Sequence, residues 1–481
     1  MKRSSYSFKR LLIVLGVLSC FTIAQVQVAL ALSEFSTAHV DAGPEGGACM
    51  HGYIYSSDTT PLAGPGAGDV DITARQFLAA CPTVLIRSDG NPFALCTSML
   101  GRNPVARLLD QTSGRELARL SLDAGALLGG VYAYLDRQDR LVMVDGNQNL
   151  IRIKAQDRYV WGKQRWQVSI DESVSLLSTI AVPCGEDGCD AVVSISPGAE
   201  DTIWFVTQQA VVGIYDPHTG AVSTLKLAVD ERIDNSFSTT ADGRAAVVTS
   251  KALYVLQQDQ NNLPQIAWRQ AYDAGTARKP GQLSHGSGAT PTFFGPETGF
   301  EFVTITDNAD DTIALIVRDT DSGELVCQKA IFTDKDNSGT ENSAIAFGTT
   351  VVVASTYGYP YPELPGGAGP SIPAQAEFVG GIVRVDCQTC DIVWENSVRS
   401  AAVPKFSIPD QLIYTIERQS SGLLNAFYFT AIDLDTGQVV KQSKLNVPLF
   451  ANTLQMAGNI GEEGVYWQGT MGGVVRIAPV P

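Results

Sequence analysis

With only four histidines in 481 residues, any chemistry this chain performs must rest mainly on carboxylates, amides and hydroxyls. Asp307, Asn308, Asp310, Glu341 and Asn342 supply hard oxygen donors of the kind that surround calcium, an ion that takes about six to eight oxygen ligands. A competing reading makes Asp307-Asn308-Ala309-Asp310 a turn held by bonds from its side chains to its own backbone. His285, in Ser284-His285-Gly286-Ser287-Gly288, is the candidate general base, or else a side chain that bonds a neighbouring backbone group. Asp334-Lys335-Asp336-Asn337-Ser338-Gly339 opens like an EF-hand loop, but Ile345 stands where the loop needs its closing Glu, so it reads as a solvated loop. Arg278 and Lys279 offer charge to an anionic ligand or to solvent. Tyr357, Tyr359 and Tyr361, followed by the Gly- and Pro-rich stretch from Leu364, offer aromatic faces to a sugar or a protein partner. The G-x-S-x-G elbow, the P-loop, H-E-x-x-H and the dinucleotide fingerprint are all missing, which removes the common hydrolase, nucleotide and zinc-protease chemistries.

The elements that must position these residues are strands. Short β-branched and aromatic runs such as Thr202-Ile-Trp-Phe-Val, Phe302-Val-Thr-Ile-Thr and Thr350-Val-Val-Val-Ala recur between Gly, Asp, Asn and Pro, and helical periodicity is almost absent. A turn of the form Asp-x-x-Ser/Thr-Gly repeats at Asp110–Gly114, Asp216–Gly220, Asp319–Gly323 and Asp433–Gly437, with Asp386–Cys390 as a copy in which Cys replaces Gly. The Asp accepts backbone hydrogen bonds and the Gly takes the left-handed conformation that lets two strands pair. The glycines at 114, 220, 323 and 437 are 106, 103 and 114 residues apart, about two units of some 50 residues each. Degenerate turns before Trp166, Trp268 and Trp394 supply the intervening units.

The result is an all-β chain forming a single β-propeller of about eight four-stranded blades, with seven as the alternative. After Gly437 only three strands remain, so the ring is expected to close by taking a strand from residues 33–60. Residues 1–31 read as a signal peptide, 32–75 as the segment that contributes the closing strand and 76–481 as the propeller. Loops that lead into the innermost strands converge on the central channel, and those before residues 241, 289 and 344 carry Ser236, Ser238, His285, Glu341 and Asn342.

The turn with its trailing apolar or Trp position, as in Ala431-Ile-Asp-Leu-Asp-Thr-Gly-Gln438, resembles the repeat of the pyrroloquinoline-quinone-like (quinoprotein alcohol dehydrogenase-like) propellers. Lys279–Thr292, Thr304–Asp310 and Thr340–Ile345 resemble exported bacterial propellers without an assigned reaction. The resemblance implies the fold across most of the chain. It implies pyrroloquinoline quinone only weakly, because the adjacent Cys-Cys pair found in many quinone enzymes is absent.

The amino terminus is basic at Met1-Lys2-Arg3, apolar from Leu11, and ends in Ala29-Leu30-Ala31, the order of a secretory leader. Export to the periplasm or medium is expected, with lipid anchoring through Cys20 as the lesser alternative. No transmembrane anchor is expected in the mature chain, and a net charge of −16 argues against nucleic acid and anionic membrane surfaces as partners. Eight cysteines lie outside the leader and read as disulfides: Cys184 with Cys189 and Cys387 with Cys390 are close enough for local bridges, Cys81 with Cys96 could join adjacent strands, and Cys49 and Cys327 are left over, the full pairing staying open, with zinc at the C-x-x-C as the lesser alternative. The functional expectation is a scaffold that binds an unknown small molecule or protein. A calcium-dependent lactonase or esterase using His285, or a quinone dehydrogenase with a degenerate site, stands as the alternative.

Overall fold

A computed structural model describes residues 41–480 apart from 45, 124–131, 181–189, 336, 366–367, 422–423 and 447–450. Residues 1–40, with Cys20 and His39, and Cys184 and Cys189 lie outside the described residues. Eight antiparallel sheets form the blades of a propeller, and the helical content among the described residues is three single turns at 177–179, 199–201 and 462–464. No described helix is long and apolar enough to cross a membrane.

Blades 1 to 7 each follow the chain outward from the channel. Blade 4, for example, comprises Ser238–Thr239, Arg244–Val248, Ala252–Gln258 and Pro264–Ala271. Blade 8 combines Gly458–Ile460, Tyr466–Thr470 and Gly473–Pro479 with Val70–Gln76 as its outer strand, paired antiparallel from Val70 opposite Pro479 to Gln76 opposite Gly473. The ring does close by exchange between the chain ends, but the borrowed strand starts at Val70 instead of falling within 33–60. Apolar side chains interlock between neighbouring sheets: Phe93, Leu95 and Leu108 of blade 1 share one core with Leu141, Met143 and Ile153 of blade 2.

The residues expected to close the ring fill the channel instead. Backbone carbonyls of Gly47, Ala48, Ile54, Tyr55, Ser57 and Asp58 accept from the amides of Ile86, Leu135, Thr239, Phe293, Ala346 and Phe406, at 2.8–3.1 Å, so the segment meets the inner strands of blades 1, 2, 4, 5, 6 and 7. Asp41 accepts from the Asp201 amide of blade 3, and the Cys49 carbonyl accepts from Asn459 of blade 8. Thr59–Thr60 adds in parallel to the inner strand of blade 7. Inner strands need hydrogen-bond partners on their channel side, and this segment supplies them.

Two cysteine expectations are corrected. Cys390 is bridged to Cys327, joining the turn of blade 6 to the outer strand of blade 5, and both Cys387 and Cys49 are free and buried. Cys390 keeps the left-handed conformation of the glycine it replaces, φ +58°, so the bridge holds the turn from a neighbouring blade and not from within. Cys81–Cys96 forms as expected between adjacent strands.

Candidate ligand site at the channel mouth

Antiparallel connection puts the loops leading into inner strands and the loops between second and third strands on one face of the ring. The repeat turns lie on the other face. On the first face Tyr132, Arg278 and Tyr361 lie close enough to Glu341 to interact with its charge and Asn342 bonds Gln455, while Ser287, His285, Asp307 and Asn308 stand on loops of the same face.

Below the mouth the plug forms a sealed polar cluster. His51 Nδ1 lies 3.1 Å from Asp58 Oδ2 and 3.0 Å from Ser343 Oγ, and Ser343 also donates to Asp58. Lys405 Nζ donates to Asp58 Oδ1 at 3.0 Å. Ser, His and Asp gather here without forming a catalytic triad, because serine and aspartate meet the same ring nitrogen and a lysine neutralises the carboxylate. The cluster is buried between the plug and the inner ends of blades 6 and 7. No local pattern in the sequence marks His51, since its partners are 7, 292 and, through Asp58, 347 residues distant. On the opposite face the gap beside Tyr53, Tyr55 and Phe347 measures about 20 Å³, room for roughly one water.

Glu341 is the most unusual group at the mouth. Both carboxyl oxygens are buried without a hydrogen-bond partner of normal geometry. Burial pushes its pKa to about 8, helped by the Asp234 charge, against the Leu283 amide and Arg278. Burial thus favours the protonated carboxyl near neutral pH. Gly288 packs directly on it, a Cβ there falling 2.3 Å from Glu341 Oε2. The Asn342 amide donates 3.0 Å to Gln455 but leaves its own oxygen unpaired. Asn308 Oδ1, Ser287 Oγ and Tyr361 OH are likewise buried and unpaired. Tyr361 stacks edge-on to Tyr359 at 4.8 Å, and burial first, then the nearby Glu341, keeps its phenol protonated. Burial likewise lifts Tyr132 to about 12, with Glu341 next in effect and Ser236 hydrogen bonds opposing.

The remaining sequence candidates are engaged locally. Asp307 Oδ1 accepts from the Ala314 amide at 2.7 Å and the Ala309 amide at 3.4 Å, and Asp310 Oδ1 accepts from the Thr276 amide and hydroxyl at 2.7 and 3.0 Å. Asn308 donates to the carbonyls of Ala274 and Ala277. The Lys279 ammonium sits on the carbonyls of Ala309 and Ser338; burial lowers its pKa to about 8, opposed by the charges of Asp307, Asp310, Asp311 and Asp273. A cation is thus already built into the acidic loop. No three His, Cys, Asp or Glu side chains come close enough to share a metal ion among the described residues. His285 is exposed, its Nε2 3.2 Å from the Gly275 carbonyl.

No protein-family model matches the chain. An uncharacterized protein from Archaeoglobus fulgidus is 25% identical over 318 residues, covering 60% of this chain and 61% of that protein. The alignment with that curated relative thus spans less than two thirds of its length. Among solved structures, the quinohemoprotein alcohol dehydrogenase from Comamonas testosteroni superposes with a TM-score of 0.54 at 9% identity, covering 94% of this chain and 83% of the enzyme. Sqt1 from Chaetomium thermophilum, in a complex with the N-terminus of ribosomal protein L10, gives 0.46 at 13% identity, over 87% and 99%.

The likeness to the dehydrogenase establishes a shared propeller fold and nothing finer. Within that fold the mouth combines unpaired acceptors on Asn308 and Asn342, a carboxyl that both donates and accepts, and phenol and serine hydroxyls. Buried polar groups of this kind are satisfied by water or by a ligand.

Proposed function

We propose that this protein is a binding scaffold whose channel mouth takes a small, neutral, polyhydroxylated ligand of the carbohydrate class. The observation that carries this reading is the unpaired set of Glu341, Asn342, Asn308, Ser287 and Tyr361 on neighbouring loops. A neutral carboxyl beside amide oxygens calls for a partner that donates and accepts at several points, which a sugar hydroxyl does. The half-buried Tyr361 ring offers an apolar edge for its C–H face. A charged ligand suits the site less well. An anion would meet Asn oxygens, and a cation would have to displace the proton that burial favours on Glu341.

The calcium-dependent hydrolase reading draws on the same residues but has less support. It requires Asp307 to exchange two backbone amides for an ion and Lys279 to leave the acidic loop. Elemental analysis of the purified protein separates the readings: stoichiometric calcium would displace ours. The direct test is a calorimetric screen of neutral mono- and oligosaccharides against the protein and its Tyr361→Phe and Asn342→Ala variants. Binding of one sugar class that weakens at least tenfold in both variants is expected. Failure of every sugar in the screen, or equal binding by the variants, would overturn the assignment.

A further inference from the structure

The third and outer strands of blade 2, Asn149–Val160 and Lys163–Ser175, run past the body of the ring as a two-stranded arm. Residues 156–159 and 161–165 are all exposed, and the rungs Arg158–Arg165, Tyr159–Gln164 and Val160–Lys163 carry the ladder to its tip. The turn is Trp161-Gly162, with φ +54° and +71°, a two-residue geometry that favours Asn-Gly. A bulky side chain there is strained, and the Trp161 side chain finds no cover in return, being 98% exposed, with Tyr159 at 76%.

Charge adds a second local conflict. Nearer the body, Arg152 and Lys154 pair with Glu172 and Asp171. Beyond them Arg158 stands directly opposite Arg165, a like-charge rung that opposes pairing. Arg158, Arg165 and Lys163 have no carboxylate within ion-pair distance among the described residues. A strained exposed Trp, an exposed Tyr and three unpaired cations each disfavour the free arm. Local conflicts of this kind mark functional positions.

We infer that the arm tip docks the protein on an anionic lipid surface through Trp161, Tyr159, Arg158, Lys163 and Arg165. A planar surface needs no complementary pocket. Indole and phenol rings settle at headgroup depth, and arginine and lysine pair with lipid phosphates. The net charge of −16 does not forbid this locally. About five residues beyond the covered rungs carry the tip roughly 17 Å outward, past a screening length of about 8 Å at physiological salt. The arm also lies on the repeat-turn face, so a docked protein presents its ligand mouth away from the lipid.

The experiment uses the full chain with vesicles of phosphatidylcholine alone or mixed equally with phosphatidylglycerol, some carrying brominated acyl chains. The other five tryptophans are buried or partly buried, so bromine quenching reports Trp161. Quenching and co-sedimentation confined to the anionic vesicles, and abolished by high salt, are expected. Trp161→Asn suits the turn and should keep the thermal midpoint while losing the quenched component. Arg158→Gln with Arg165→Gln should weaken partition about fivefold per cation removed. Equal binding to both vesicle types, no binding, or unchanged binding by these variants would overturn the inference. So would self-association without vesicles that the same variants abolish, which would assign the arm to a second copy of the chain.

Discussion

The Nζ of Lys405 lies 3.0 Å from Oδ1 of Asp58, and both side chains are wholly sealed from solvent. The pair joins the channel plug to the inner strand of blade 7. Desolvation of two ions offsets most of their attraction, so the pair adds little net stability, yet removing one partner strands the other. Lys405→Met and Asp58→Asn should each destabilise by about 3 kcal/mol, with the double variant recovering at least half of the summed loss. Urea midpoints at pH 7 decide this; fully additive losses would show that the two groups are not coupled.

The same carboxylate gives an acid-limb signature. Burial alone would raise the Asp58 pKa, but the charges of His51 and Lys405, with hydrogen bonds from His51 and Ser343, bring it below the usual range. Unfolded Asp titrates near 3.9, about pH 4. Its contribution is therefore complete above that pH and lost as pH falls through the lower folded value. Asp58→Asn should flatten the stability curve below about pH 4, and a variant whose acid limb matches the parent would refute the assignment.

Glu341 behaves with the opposite sign. Its folded pKa of about 8 lies above the unfolded value near 4.3, so the folded chain holds an extra proton between the two and stability declines with rising pH across that window. Glu341→Gln removes the dependence. Thermal scans of the variant at pH 8 should show a gain of about 4–5 kcal/mol over the parent, shrinking to nothing near pH 4. An equal midpoint at both pH values would mean that the carboxyl is ionised and solvated.

The ring was legible because its signal is local: Asp319 accepts from the Ser322 amide and hydroxyl at 2.8 Å, and Asp433 repeats this with Thr436, so five residues report a turn. The plug was not, because Gly47, Ile54 and Asp58 bond through carbonyls that any residue type presents, to strands far along the chain. Glu341 and Asn342 could be chosen by type and position, but their lack of partners arises only when loops from different blades meet. Asp307 shows the converse, as its carboxylate is satisfied by amides of its own turn, while Asn308 and Asp310 of the same run bond the 274–277 loop. Cys390 was recognised as a glycine substitute, but its bond to Cys327 depends on blade order, and a short C-x-x-C spacing pointed to Cys387 instead.

That substitution gives a prediction in which two effects oppose. Cys327→Ser removes the bridge and leaves a non-glycine residue at φ +58°. Cys390→Gly also removes the bridge but supplies the residue suited to the turn. Both should lose about 2–4 kcal/mol, with Cys390→Gly the more stable of the two by about 1 kcal/mol. Denaturant midpoints that rank them in reverse would show that the turn is not strained.

The repeat glycines should also differ among themselves. The Trp394 indole of blade 6 donates 2.7 Å to the Leu434 carbonyl of blade 7, and a Cβ on Gly437 would fall 2.5 Å from the same ring. Trp268 makes the equivalent bond to Thr320 of blade 5, with Gly323 beneath it. Tryptophan thus staples one blade to the turn of the next, and glycine is needed there for contact as well as for φ. Gly220 has the same φ, +72°, but nothing within 4 Å of its Cβ position. Gly437→Ala combines left-handed strain with overpacking and should lose about 3 kcal/mol, whereas Gly220→Ala should lose about 1 kcal/mol. Trp394→Phe, which keeps a ring but drops the indole donor, should narrow the difference when combined with Gly437→Ala. Equal losses at the two glycines would leave only the backbone conformation as the reason for the repeat.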